Sequence, residues 1–218
     1  MTLRTRIAKF HEERSKLLTL AAEEVGLDPD IFVDKAIPQS ELFMAENIQL
    51  IHDLYLNTPV NKKIEVLDVG PQAYGGTALL ERLHRSTSYN KLKMTVSAID
   101  ITDQFDLLRE VQCPQVDFIH ADIFEVQDRT WDCVVCSHVI EHVPDPGSFL
   151  LRLTELARDY VIVACPWKED PLVTNGHINT INRKLIQAVG GLGLKIYMNY
   201  NWGKDREVCQ SWIPGKAK

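Results

Sequence analysis

The chain changes its hydrophobic rhythm near residue 60. Before that point apolar residues recur at three- and four-residue intervals, the period of a helix with one buried face. One such segment covers residues 3–25, with Gly26 placed to stop it, and a second covers residues 40–56. Ser40 reads as the N-cap of the second helix, whose apolar face is Leu42, Phe43, Ile48, Ile51 and Leu54. From Lys63 onward short continuous apolar runs rich in β-branched residues take over: IEVLDVG (64–70), MTVSAID (94–100), VDFIHAD (116–122), WDCVVCS (131–137) and YVIVACP (160–166). Helical stretches at 77–83, 104–110 and 148–157 fall between most of them, and another follows at 183–189. Strands that are apolar without alternation are covered on both faces, and crossover helices between them make them parallel. The last two runs, GLGLKIYMNY and REVCQSWIP, are separated only by NWGKD, too short for a helical crossover, so they predict a terminal antiparallel hairpin. The expected architecture is α/β: a doubly wound, mostly parallel seven-stranded sheet with an antiparallel C-terminal strand, over residues 60–218, preceded by an N-terminal helical cap over residues 1–59.

Composition narrows the functional classes. A chain of 218 residues with 45% hydrophobic and 25% charged positions is an ordinary globular protein of one substantial domain. A formal net charge of −6 gives no general electrostatic footprint for DNA, RNA or an anionic membrane, so a small-molecule partner is expected. The N-terminal MTLRTRIAKFHEERSKLL has basic residues but no continuous apolar stretch, and no run reaches membrane-spanning length, which predicts a cytoplasmic protein. The five cysteines, Cys113, Cys133, Cys136, Cys165 and Cys209, lie mostly in apolar runs. Cys133 and Cys136 form a C-x-x-C without a second pair to complete a zinc site, so all five are expected as buried reduced thiols.

In an open sheet the ligand sits beyond the carboxyl ends of the strands, so the residues that follow each strand carry the chemistry. The first strand ends in LDVGPQAYGGT, where Gly70, Gly75 and Gly76 allow a tight backbone turn before a helix. The second ends at Asp100, a carboxylate placed to accept hydrogen bonds from ribose hydroxyls. The third ends at Asp122, with Ile123 and Phe124 as an apolar wall for a base.

This ordered series, LDVGPQAYGGT, AID, HADIF and WDCVVCSHVIEHVPDP, resembles the class I S-adenosylmethionine-dependent methyltransferases, in particular the group with many small-molecule and sugar methyltransferases. The resemblance spans about residues 60–200 and implies a Rossmann-like fold, S-adenosylmethionine as cofactor and S-adenosylhomocysteine as its product. It implies that Asp68, Gly70, Pro71, Gly75 and Gly76 surround the methionine part of the cofactor. Asp100 would bind the ribose and Ile101 pack on the adenine; Asp122 would meet the adenine amino group with Ile123 beside the ring. Ser137 and His138 would lie near the sulfonium. The loop departs from the family's D-x-G-x-G-x-G, because Pro71 and Gln72 replace the middle and the next glycine is Gly75, so a longer loop is expected. A nicotinamide-dependent oxidoreductase is disfavoured because G-x-G-x-x-G is absent around Gly70.

SHVIEH (137–142) contains H-x-x-E-H, a zinc-peptidase spacing. It leaves an apolar strand and runs into Pro144 and Pro146, so no helix can present both histidines on one face. In position His138, Glu141, His142 and His177 resemble the metal-binding quartet of small-RNA 2′-O-methyltransferases, but the first ligand is histidine instead of glutamate; the reading adopted has no metal. Methyl transfer to a hydroxyl needs alignment and a general base, for which His142 and His177 are the candidates, with Glu141 orienting one of them or contacting substrate. The loop ACPWKEDPLVTNGHINTINRK supplies Trp167, His177 and Asn179 to the acceptor side, with Asn179 or Asn182 as a helix cap. The expected activity is transfer of a methyl group to a small-molecule acceptor, at oxygen before nitrogen. The alternatives are a metal-assisted RNA 2′-O-methyltransferase and a cofactor-binding module without catalysis. The N-terminal helices either close over the cofactor or form a homodimer interface.

Overall fold

The computed structural model describes residues 3–171, 174, 176–198 and 206–217. Two helical segments precede the sheet: α1 (Leu3–Glu24), then the short α2 (Pro29–Ile31), which continues through a π-helical turn (Phe32–Ala36) into α3 (Ile37–Leu54). The strands and helices that follow are β1 (Lys62–Val69), α4 (Gly75–His84), β2 (Leu92–Asp100), α5 (Asp106–Gln112), β3 (Asp117–His120), β4 (Trp131–Ser137), α6 (Pro146–Leu156), β5 (Ala157–Pro166), α7 (Arg183–Ala188), β6 (Leu192–Met198) and β7 (Glu207–Pro214). They build one seven-stranded sheet of order β3-β2-β1-β4-β5-β7-β6. The first five strands pair in parallel, and β7 runs antiparallel to both neighbours, β5 and β6. The expected terminal hairpin is therefore present, with β7 on the inside; its NWGKD turn lies outside the described residues.

Strand alternation sends successive side chains to opposite faces, and both faces are covered. Val66, Ala98, Cys133 and Val135 point into one core, and Leu67, Ile99, Val134 and Cys136 into the other. The first core is closed by the N-terminal helices: Leu18, Ala21, Ile48, Ile51 and Tyr55 pack in the same cluster as Ile64 and Leu80. The second is closed by α6 and α7 through Leu150, Leu153 and Ile186. Chain order reverses between β1 and β4, which is where an open sheet parts its loops and leaves a crevice.

Two local expectations are corrected. Ser40 does not cap its own helix, because α3 begins three residues earlier, with Pro38 in its first turn where a missing N–H costs nothing. Its Oγ donates to the Ile37 carbonyl at 2.9 Å and accepts from the Gly76 N–H at 3.1 Å. It thus satisfies an orphan donor at the start of α4, whose own cap residue Tyr74 provides no side-chain bond. Gly75, expected in a ligand loop, is instead a packing glycine: a Cβ there would stand 2.4 Å from the Ile37 carbonyl oxygen and 2.7 Å from Ser40 Oγ. Gly75→Ala is expected to cost roughly 1–3 kcal/mol, since backbone must move to admit the methyl. A urea midpoint equal to that of the unmodified protein would show that α3 does not sit this closely on α4.

Candidate active site

Two adjoining cavities open at the carboxyl ends of β1, β2 and β4. The larger, about 380 Å³, is lined by Gly70, Asp100, Ile101, Asp122, Ile123, His138 and His142, with Phe105, Val139 and Phe149 as further apolar wall. The smaller, about 130 Å³, lies against α3 and is lined by Ser40, Phe43, Asp68, Pro71, Gly76, Ser137 and His138. Gly70, Gln72 and His138 border both. Gly70 has a positive φ of 67°, its N–H donates to the Ile99 carbonyl at 2.9 Å, and a Cβ would meet Val139 Cγ2 at 2.7 Å. Only glycine satisfies both the left-handed backbone and the close approach.

Two carboxyl groups set the electrostatics. Asp68 is buried at the end of β1, and desolvation pushes its carboxyl up to about 7; the 2.5 Å bond from Thr77 Oγ1 opposes that shift and the nearby Asp100 adds to it. Asp100 is also raised, chiefly by burial, against the stabilising bond from the Thr102 N–H to its Oδ1 at 3.1 Å. One buried and one half-buried acid at neighbouring strand ends suit a ligand that brings positive charge.

His138 follows β4 with φ +58°, and its ring stacks on Phe43 of α3 with centroids 3.7 Å apart. The rest of the segment forms turns, and no helix carries His138 and His142, so the peptidase arrangement is absent here. The turn nevertheless gathers chemistry: one ligand atom each from Glu141, His142 and His177 lie within 4.8 Å of one another.

A family model for a methyltransferase domain matches residues 67–163, which run from β1 into β5 and contain the loops after β1, β2, β3 and β4. The chain carries a class I S-adenosylmethionine-dependent methyltransferase domain. Its fold is similar to the CurJ carbon methyltransferase, at 12% identity and a TM-score of 0.61 over 97% of this chain and 70% of that one. It is similar to magnesium protoporphyrin IX methyltransferase ChlM from Synechocystis PCC 6803 with bound S-adenosylhomocysteine, at 15% identity and TM-score 0.58 over 88% and 93% of the two chains. It is also similar to the N-methyltransferase NodS from Bradyrhizobium japonicum WM9 in complex with S-adenosyl-L-homocysteine, at 13% identity and TM-score 0.57 over 91% and 98%. No curated protein matches the chain. Among the described residues no helix is long and apolar enough to cross a membrane.

The cavities of this methyltransferase domain fit S-adenosylmethionine: a glycine hinge joins an apolar, acid-tipped chamber to a smaller one with a buried carboxyl group. Most residues expected from the sequence come together there, but not all. Ile101 stands 74% exposed at the rim of the larger chamber, while Ile123 is the buried wall. Asp122 borders the same chamber with Oδ1 accepting from the Phe124 N–H at 3.0 Å, so it caps a turn as well. Gly75 lines neither cavity, for the packing reason given above. Glu141 and His177 are buried and line neither cavity, so of the three expected catalytic residues only His142 faces one. Trp167 borders a third cavity of about 460 Å³ with Lys168, Glu169 and Arg206. Asn179 donates to the Val143 carbonyl at 2.5 Å and ties its loop to the SHVIEH turn, whereas Asn182 caps α7 through the Lys184 and Leu185 N–H groups.

Four contributors escaped the sequence reading. Phe43 was assigned to a core face, yet it walls the smaller cavity. Phe105 and Gln72 sit in loops whose conformation sequence does not specify. Glu169 holds His177 Nδ1 at 2.5 Å, and its acidic residue in a turn-rich loop was the only signal.

Proposed function

We propose that this domain methylates a hydroxyl oxygen of a small-molecule acceptor. Bound S-adenosylmethionine supplies an electrophilic methyl group on sulfur. In this reading Asp68, Gly70, Pro71, Gly76, Ser137 and His138 hold the methionine end, while Asp100, Ile101, Asp122 and Ile123 hold the adenosine end. Residues 1–59 act as a cap, supported by the Ser40, Phe43 and Met44 side of the smaller cavity. The five cysteines, all buried and free, accord with a cytoplasmic setting.

The observation that carries the acceptor class is the imidazole pair beside the larger cavity. His142 borders that cavity, and its ring lies 4.8 Å from the His177 ring in an edge-on arrangement. An amine acceptor needs no base stronger than water once it is neutral, whereas a hydroxyl oxygen must lose its proton as it reacts. In this reading His142 takes that proton on Nε2, with its Nδ1 held by the Gly176 carbonyl at 2.9 Å and the His177 ring edge-on beside it. The acidic chain also argues for a small acceptor over RNA.

Calorimetric titration with S-adenosylmethionine and S-adenosylhomocysteine, followed by turnover on matched hydroxyl and amine acceptors, tests the reading. Turnover of the amines alone would sink it. His142→Ala is expected to lower kcat about 10²- to 10⁴-fold with cofactor affinity nearly unchanged, the signature of a lost proton acceptor. Full activity in that variant would remove His142 from the base role.

A further inference from the structure

We propose that Glu169 is a positioning residue for methyl transfer: its carboxylate clamps the turn that carries Gly176 and His177, and the clamped turn fixes the ring and the tautomer of His142. Resting on the reading of His142 as proton acceptor, this gives Glu169 a part in turnover although it borders neither of the two adjoining cavities.

Both carboxylate oxygens build the clamp. Oε2 accepts from His177 Nδ1 at 2.5 Å. Oε1 accepts from Thr174 Oγ1 at 3.1 Å and lies 3.2 Å from Arg206 Nη1, which also donates to Thr174 Oγ1 at 3.0 Å. Thr174 and His177 are joined directly as well, since the His177 N–H donates to the Thr174 carbonyl at 3.2 Å. One side chain therefore holds both ends of a tight turn. The Glu169 and His177 side chains are only 11% and 7% exposed, so water competes little for their bond, and a charged acceptor makes such a bond stronger than a neutral one. The Glu169 backbone is anchored in turn: the Lys168 N–H donates to the Ile181 carbonyl at 2.9 Å, and Thr180 Oγ1 donates to the Glu169 carbonyl at 3.1 Å.

The turn delivers its effect through Gly176. That residue has φ +87°, and its carbonyl meets His142 Nδ1 at 2.9 Å. A carbonyl can only accept, so the ring proton of neutral His142 sits on Nδ1 and the lone pair on Nε2. Without this bond the proton can occupy either nitrogen, and a ring protonated on Nε2 has no lone pair there for the acceptor's proton. The His177 ring, edge-on at 4.8 Å, limits rotation of His142 from the other side.

Other contacts bring the loop to the SHVIEH turn without setting this direction. The Ile178 and Asn179 N–H groups donate to the Glu141 carbonyl at 2.8 and 3.2 Å, which docks the chain just after His177. The side-chain bonds of Glu169 are what hold the residues on either side of the Gly176 carbonyl. When the acceptor hydroxyl gives its proton to His142 Nε2, the resulting imidazolium keeps its Nδ1–H on that carbonyl, so the ring need not reorient during the reaction.

Glu169→Ala is expected to lower kcat on a hydroxyl acceptor about 10- to 100-fold, with KM and S-adenosylhomocysteine affinity nearly unchanged. Glu169→Gln keeps an acceptor oxygen for His177 Nδ1 and should recover part of that loss; it also carries the test where the alanine variant fails to fold. Because Glu169 acts through His142, adding Glu169→Ala to His142→Ala should cost nothing further. A further drop in the double variant would assign Glu169 a general structural role and overturn the proposal. Nitrogen NMR of the neutral His142 ring reads the clamp without turnover: its proton should sit on Nδ1 in the unmodified protein and be shared between both nitrogens in Glu169→Ala. S-adenosylhomocysteine titration confirms the fold of each variant. A tautomer unchanged in Glu169→Ala would overturn the clamp even if activity fell. A shifted tautomer beside full activity of His142→Ala would uphold the clamp and overturn the reading of His142 as the base.

Discussion

Asp100→Ala is expected to weaken binding of S-adenosylmethionine and of S-adenosylhomocysteine about 10- to 100-fold while the protein stays folded. A hydrogen bond to a charged acceptor contributes about 1.5–3 kcal/mol, and each 1.4 kcal/mol is tenfold in affinity. Asp100 ends β2 beside the larger cavity, and its burial raises the carboxyl above its ordinary range. The Thr102 N–H at 3.1 Å and the Ile101 and Gln72 N–H groups offset only part of that penalty, since the carboxyl stays raised. Removing the group should therefore leave thermal stability unchanged or slightly higher. Asp100→Asn keeps the turn bond to Thr102 and loses only the charge, so comparison of the two by calorimetry isolates the charge. Unchanged affinity in both variants would refute the ribose assignment.

Asp68 should lower the stability of the ligand-free protein by about 4 kcal/mol as pH rises from about 4 to about 7, against the opposite contribution of the half-buried His52 and the buried His84, whose lowered pKa values favour folding as pH rises. Its carboxyl titrates near 3.8 in an unfolded chain and near 7 in the fold. Between those values the folded state holds a proton that the unfolded state has released, so raising the pH favours unfolding; above 7 the loss is complete. Asp100, also raised, adds to the same slope. Urea denaturation at a series of pH values reads the effect, and Asp68→Asn should flatten it. An Asp68→Asn profile parallel to that of the unmodified protein through this window would contradict the buried-acid account. The cofactor's positive charges favour the ionised form, so its affinity should increase as pH rises toward 7, with proton release detectable by calorimetry in buffers of different ionisation heat.

These two acids were legible in the sequence because each ends a strand, and strand ends in a doubly wound sheet face the ligand whatever the loops do. The same logic reached Gly70, Ser137 and His138. It failed where a residue's partner comes from a distant element. Gly75 and Gly76 look alike in GGT and α3 packs closely on both, yet only Gly76 also borders the cavity, and nothing near residue 75 records that helix. Ser40 follows a helix-cap pattern but serves the neighbouring helix, because donor and acceptor there are 36 residues apart.

Period and punctuation in the chain were enough to specify a parallel sheet with crossover helices, its antiparallel last strand and the order of its ligand loops, since these follow from backbone geometry and local burial. The grouping of Glu141, His142 and His177 with Glu169 behind them was not contained in any local pattern. It arises because the β5–α7 loop folds back onto the turn after β4 through the Glu141 carbonyl and Asn179, and such long-range backbone bonds depend on the whole packed sheet.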